Sequence, residues 1–344
     1  MTQTVKQFLK YFFAYTLFVS GFLDRRRKKT LKNRVVVLMY HRVLKSDEMS
    51  RSFSNNGIIV HDNTFKKHIE YLTKHFNIIS LQDLIKHLDT GTPFKDCTCL
   101  ITFDDGWIDN YTNAFPVLKK YSAPALIFLP IDFIGSGNLF WQEKLAYYLH
   151  SIAANVADGK NILREKGVID SIDLPALQIS KQVTSYIASL KKLDNREIDN
   201  VLGFYLAYAQ DNHALQSDNG IDSYMNWEQV STMHSRGISF GSHAVSHRLL
   251  SKFSDMEIEH EVSHSKKTIS SRLADKVDSI AYPNGDFNNN VINKVKKSGY
   301  KIAFSTNSGY FSVDDDPYQV RRINIHQNAA NNVPMLLCRI LKIF

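Results

Sequence analysis

The chain has 344 residues, 44% hydrophobic and 22% charged, with a formal net charge of +8, which is enough apolar material for one large domain or two ordinary ones and too much for a disordered tail. Residues 24–34, DRRRKKTLKNR, hold seven bases and one acid, so six of the eight excess positive charges sit in one short cluster. With no interleaved aromatic residues and no nucleic-acid motif, this argues against nucleic acid as a partner and for a membrane surface.

The first predicted element is the apolar run YFFAYTLFVSGFL at residues 11–23, shorter than the roughly 20 residues that span a bilayer as a helix. No A-x-A-like cleavage site follows it, and the basic cluster opposes export. Residues 1–34 are therefore expected to form an interfacial anchor on the cytoplasmic face of a membrane, the alternative being an exported, membrane-anchored protein. Beyond residue 34 short β-rich runs alternate with helical stretches, and strands are predicted at 35–40, 99–103, 125–130, 238–242, 279–282, 302–305 and 319–325. Between them, TFKKHIEYLTKH puts Phe65, Ile69 and Leu72 on one helix face, and SDMEIEHEVSHSKKTISSRL opens on a capping box from Ser254 to Glu257. Seven strands with helices outside predict an α/β fold, an incomplete (β/α)7 barrel over 35–344, whose chemistry sits at the C-terminal strand ends. Cys97, Cys99 and Cys338 lack the spacing of a disulfide framework or a zinc site and are read as core residues. One stretch, about 132–222, has no convincing strand and is predicted to be a helical insertion, because a structureless loop of that length is improbable in a compact domain. Its aromatics Phe140, Trp141, Tyr147, Tyr148, Phe204, Tyr205 and Tyr208 are assigned to packing.

Chemistry concentrates in two places. LITFDDGW sets Asp104 and Asp105 at the end of a predicted strand, and GSHAVSHRLL sets His243 and His247 four apart just after another. A helix there would put both imidazoles on one face. All four residues follow β-runs, so a barrel gathers them on one rim. One carboxylate with two imidazoles makes a three-ligand site that leaves a position for water, as in catalytic rather than structural zinc. The other carboxylate then serves as the base for a water whose pKa the ion lowers.

The motifs TFDDG, SHAVSH, AYPNGDFN and RRINIH, in this order and with LMYHRV upstream, resemble the polysaccharide deacetylase family, the NodB-type homology domain of carbohydrate esterase family 4. The likeness spans roughly residues 35–326 apart from the insertion. It implies Asp104 as the catalytic base, His326 as the general acid, and Asp105, His243 and His247 as ligands of a divalent metal, zinc foremost. The implied reaction is hydrolysis of an N-acetyl group on an amino sugar, in a polysaccharide or a lipid-linked glycan precursor. Where many members have Arg-x-Pro-Tyr, this chain has Ala281, Tyr282, Pro283 and Asn284. The arginine that orients the base is thus absent from its motif, and Arg321 or Arg322 is expected to supply it. The Pro-Asn-Gly turn is expected to offer a backbone N–H to the oxyanion, with Tyr282, Asn284 and His41 as candidate substrate contacts. Two other readings keep the residues and change the outcome: a metal-dependent amidase on a non-sugar amide or imide, and a glycan-binding barrel without catalysis. The second expects a missing ligand or base, and all four residues are present.

Overall fold

The computed structural model describes residues 3–215 and 220–344; residues 1–2 of the expected anchor and 216–219 of the expected insertion lie outside the described residues. Two compact units result, one from 1–50, 56–136 and 224–344, the other from 51–55 and 137–223.

Among the described residues the first unit holds ten strands: β1 (Val35–Tyr40), β2 (Arg42–Leu44), β3 (Ile59–His61), β4 (Asn77–Ile78), β5 (Thr98–Phe103), β6 (Leu126–Leu129), β7 (Ser239–Ser242), β8 (Ser279–Ala281), β9 (Ile302–Phe304) and β10 (Ile323–Asn324). Seven of them form a parallel sheet in the order β10-β1-β5-β6-β7-β8-β9, with β4 also paired to β5 and β2 paired separately to β3. Strands covered on both faces read as unbroken apolar runs rather than alternating ones, and all six residues of β1 and of β5 are buried. The incomplete (β/α)7 barrel is therefore the fold. The seven predicted strands are all present; β4, only two residues long, has no pattern for a sequence to show.

The last strand is shorter than the predicted 319–325, for a reason that matters to the site. Val320 bridges Phe304 of β9, whereas Ile323 and Asn324 pair with Leu38 and Met39 of β1. The chain from 320 to 324 thus crosses the seam of the barrel, with Arg321 and Arg322 at the crossing.

The N-terminal segment departs from the expected appended anchor. It forms two helices, Gln3–Val19 and Phe22–Thr30, broken at Gly21, whose φ of 71° is left-handed. The first packs on the final helix, Val333–Ile340, and Asn331 Nδ2 donates to the Tyr11 hydroxyl at 2.7 Å. Ala14, Leu23 and Leu31 are buried. Arg27, counted with the basic cluster, turns inward: it donates to the His75 carbonyl and pairs with Asp24, and its guanidinium lies 4.8 Å from the Phe76 ring centre. This segment belongs to the outer layer of the barrel. Among the described residues no helix is long and apolar enough to cross a membrane.

The second unit is helical, built from Trp141–Asn155, Gly159–Glu165, Ala176–Leu190 and Asn195–Asp211 around a core that includes Leu145, Leu149, Ile152, Leu163, Val183 and Tyr205. Its boundary differs from the predicted 132–222, since it begins at 137 and takes in 51–55. The cause is Asp222, buried, whose carboxylate accepts from Ser52 Oγ at 2.7 Å and from the Phe53 N–H at 2.8 Å.

Candidate active site and metal centre

The adjacent carboxylates are separated by backbone geometry. Asp104 N–H continues the sheet ladder, donating to the Tyr40 carbonyl at 3.0 Å. Asp105 and Gly106 then adopt φ of 77° and 67°, a sharp left-handed turn. A non-glycine residue held there carries strain of the kind that collects at functional sites. At Gly106 a Cβ would lie 2.8 Å from Leu129 Cδ2, so any other residue would have to push that side chain aside as well as hold a left-handed backbone. The two side chains consequently face different partners.

Asp105 faces the histidines. Its Oδ1 lies 3.4 Å from His243 Nε2 and 3.2 Å from His247 Nε2, and all three residues are buried with donor atoms within 4.8 Å of one another. The expected helix is absent. Residues 243–247 form a loop in which Ala244 and His247 take φ of 64° and 54°, and this folding rather than helical spacing brings the imidazoles together, with ring centres 4.9 Å apart. His243 Nδ1 hydrogen-bonds the Ala281 carbonyl at 2.7 Å. A carbonyl only accepts, so Nδ1 carries a proton, and Nε2 is the nitrogen that turns toward Asp105 and is placed to serve a metal. Burial pushes the Asp105 carboxyl up, but His247 and His243 outweigh it and hold it well below the ordinary carboxylate range. Two imidazole nitrogens and an ionised carboxylate are a donor set that fits a divalent metal with a coordination position left open.

Asp104 faces Arg322. The guanidinium makes a two-pronged contact, Nη1 to Oδ1 at 2.7 Å and Nη2 to Oδ2 at 2.8 Å, while its Nε donates to the Ser305 carbonyl at 2.8 Å. Burial raises the Asp104 carboxyl, and Arg322, His243 and His41 together bring it below its usual value. Of the two arginines expected to orient the base, Arg322 is fully buried on Asp104, and Arg321 is exposed.

The profile of the polysaccharide deacetylase family matches residues 91–150 and 182–303, more than half of the chain. The chain belongs to the polysaccharide deacetylase family. The poly-β-1,6-N-acetyl-D-glucosamine N-deacetylase of Staphylococcus epidermidis is 37% identical over 123 residues, 33% of this chain and 42% of that protein. The protein of the same name from Staphylococcus aureus strain MRSA252 is 22% identical over 316 residues, covering 90% of this chain and 84% of the relative. Among solved structures, the Streptococcus pyogenes deacetylase PplD in complex with acetate superposes with a TM-score of 0.58 at 20% identity, covering 90% of this chain and 98% of that one.

The remaining expected residues of this carbohydrate deacetylase are placed unevenly. His41 lies 3.8 Å from Asp104 Oδ2 through its Nε2, and burial lowers its pKa despite the two aspartates. His326, beyond β10, is half-buried, its Nδ1 has no hydrogen-bond partner among the described residues, and burial, Arg339 and His41 lower its pKa. Asn284 sits in the turn after β8 with φ of 54°. Tyr282, expected to touch substrate, does not have its side chain free to do so: it is fully buried, stacks on Phe287 at 4.7 Å and donates its hydroxyl to the Tyr318 carbonyl at 3.0 Å. It braces the sheet, because at the end of β8 its ring falls on the packed face.

Two residues of this deacetylase were not singled out from the sequence. Trp107 Nε1 donates to Asp105 Oδ2 at 3.0 Å, turning Oδ1 toward the imidazoles, and Arg42 holds the indole from its other side at 4.2 Å while pairing with Asp109 at 3.0 Å. Glu261, on the helix Asp255–Leu273, accepts from Val245 N, Ser246 N and Ser246 Oγ at 2.8, 3.0 and 2.6 Å, clamping the loop between the two histidines. A signal existed for the second: Glu261 falls on the apolar face with Ile258, Val262 and Ile269, where a carboxylate needs a partner.

Proposed function

We propose that this deacetylase removes N-acetyl groups from a polymer of β-linked N-acetylglucosamine, using Asp105, His243 and His247 to hold a divalent metal and Asp104 as the base. The observation that carries the reading is the division of two neighbouring carboxylates, one among imidazoles and one on a buried arginine. Relatives named as poly-β-1,6-N-acetyl-D-glucosamine N-deacetylases favour the polymer over a lipid-linked precursor. Bound at the three ligands, zinc, which the donor set favours, would polarise the acetamide carbonyl and acidify a water. Arg322 keeps Asp104 ionised and fixed, and each carboxylate oxygen retains a second lone pair with which to accept a proton. His326, with its lowered pKa, is a ready donor once protonated, suited to the departing amine. The turn at Pro283–Gly285 follows β8, whose Ala281 carbonyl orients His243; Pro283 has no N–H and Gly285 donates to the Tyr282 carbonyl at 2.8 Å, so the oxyanion contact is assigned to the Asn284 N–H.

The test is acetate release from poly-β-1,6-N-acetylglucosamine with metal content measured on the same preparation. Asp104→Asn should keep metal and lose about 10² to 10⁴ in turnover, whereas Asp105→Ala or His247→Ala should lose metal and activity together. Near-normal turnover in Asp104→Asn would place the base elsewhere.

The reading also puts the protein on an anionic membrane surface. Support comes from Phe8, Phe12, Tyr15 and Val19, each at least 60% exposed on the N-terminal helix, beside exposed Arg25, Arg26, Lys28 and Lys29. Basic residues tend to stay cytoplasmic, which favours that face. A polymeric substrate favours the exported orientation instead. Protease added outside intact cells distinguishes them, since digestion of the barrel means export.

A further inference from the structure

We propose that the helical unit carries its own carbohydrate-binding pocket, which holds sugar units of the polymeric substrate. A cavity of about 670 Å³ opens in that unit, and every described residue lining it belongs to the unit itself. This volume lies within the range of small-molecule sites, roughly 300–1,000 Å³.

The walls come from distant parts of the chain. One face of the helix Trp141–Asn155 contributes Lys144, Tyr147, Tyr148, Ser151 and Ala154, positions that helical spacing lines up. Phe53 forms another wall. It stands there because Asp222, buried, accepts from the Phe53 N–H and from Ser52 Oγ. Its ring centre is 5.4 Å from Tyr147 and 5.8 Å from His150, and Tyr147 is 5.9 Å from Tyr148. Four rings thus form a continuous, tilted aromatic wall around open space.

The chemistry of the lining selects the ligand. A hydrocarbon tail would strip water from Lys144, Ser151 and Asn138 and give them nothing in return. A strongly charged ligand finds no net attraction, since Lys144 and Asp222 are of opposite sign and burial keeps His150 below its ordinary pKa and uncharged at neutral pH. A pyranose matches both requirements, presenting apolar C–H faces to aromatic rings and hydroxyl edges to amide, hydroxyl and ammonium groups.

The proposal rests on the reading of the substrate as an N-acetylated polymer, and the experiment separates the two. The full chain and two variants, Tyr147→Ala and Ala154→Trp, are assayed on poly-β-1,6-N-acetylglucosamine and on a small acetylated test substrate. The first variant removes a wall; the second fills the cavity from a position that is exposed and therefore tolerant. Each should raise KM for the polymer about tenfold, the size expected for losing an aromatic contact, with kcat/KM for the small substrate unchanged. Polymer KM unchanged in both variants, with small-substrate activity intact, overturns the pocket and leaves the deacetylase reading standing. If the unsubstituted chain releases no acetate from either substrate, that reading fails. Calorimetric titration with a β-1,6-linked N-acetylglucosamine hexamer then still judges the pocket: binding abolished in both variants upholds it, and no binding to the unsubstituted chain overturns it.

Discussion

Asp105 takes three directed partners through two oxygens, and the indole N–H of Trp107 decides which oxygen meets the histidines. Outer hydrogen bonds of this kind typically change metal affinity by about 10- to 100-fold. Trp107→Phe keeps a ring under Arg42 but has no donor, so metal should bind roughly tenfold more weakly, beside the lower melting temperature that truncating a fully buried indole brings; unchanged affinity by competition with a chelator would show that Trp107 only packs. At the same scale, His68 is buried beside the Tyr40 hydroxyl at 3.2 Å, and burial lowers its pKa to about 3. A histidine near 6.5 when unfolded then takes up a proton that the folded state refuses. Its contribution to stability is complete above about pH 6.5 and is lost as pH falls from there toward 3, at up to about 1.4 kcal/mol per pH unit. Urea midpoints at pH 7.5 and 5.5 should therefore fall further apart in the natural protein than in His68→Phe. Equal slopes would remove His68 from the acid sensitivity.

At the scale of elements, the candidate metal centre depends on a loop that has no regular structure of its own. Residues 243–247 include two left-handed non-glycine positions, and a loop so strained holds its shape only when its surroundings over-determine it. Glu261 supplies that constraint with three hydrogen bonds, and the helix bearing it is itself anchored at its start by the Ser254–Glu257 capping box. Glu261→Ala removes both acceptor oxygens and leaves all three donors without them. We expect metal affinity to fall about 10-fold or more, with hydrogen exchange at Val245 and Ser246 accelerating in the same variant. Weakened binding without faster exchange at those amides would point away from the clamp.

For the whole molecule, the N-terminal helices tie the proposed membrane contact to the stability of the barrel. Leu23 and Leu31 are fully buried, and their loss alone costs roughly 3 kcal/mol or more. Removing residues 1–34 should accordingly yield a protein that melts lower or aggregates, which makes deletion a poor probe of membrane binding. The exposed face can be altered separately: Phe8→Ser with Phe12→Ser should shift the protein from the membrane to the soluble fraction while acetate release is maintained. Retention on anionic vesicles after both changes would rule out this face as the membrane contact.

Much of the barrel and the identities of the ligand and base candidates could be read from the sequence, because each depends on local pattern. Apolar runs such as VVVLMY mark buried parallel strands, and Asp104, Asp105, His243 and His247 all follow such runs, which places them on one rim whatever the details. What the sequence left open were questions of which distant segments become neighbours. Arg321 and Arg322 are equivalent in the linear chain, yet only Arg322 turns inward at the seam, 218 residues from Asp104. The histidine spacing suggested a helix, but a step of four positions also joins the ends of a tight loop, and the distinction depends on Glu261 across the helix layer. Arg27 counted as one of a row of surface bases until the packing of its helix gave it Asp24, the His75 carbonyl and the Phe76 ring. Period and residue chemistry are properties of short stretches, whereas ion pairs, turns over-determined by remote donors and the walls of a cavity require the chain to close on itself. Only the tertiary structure decides those.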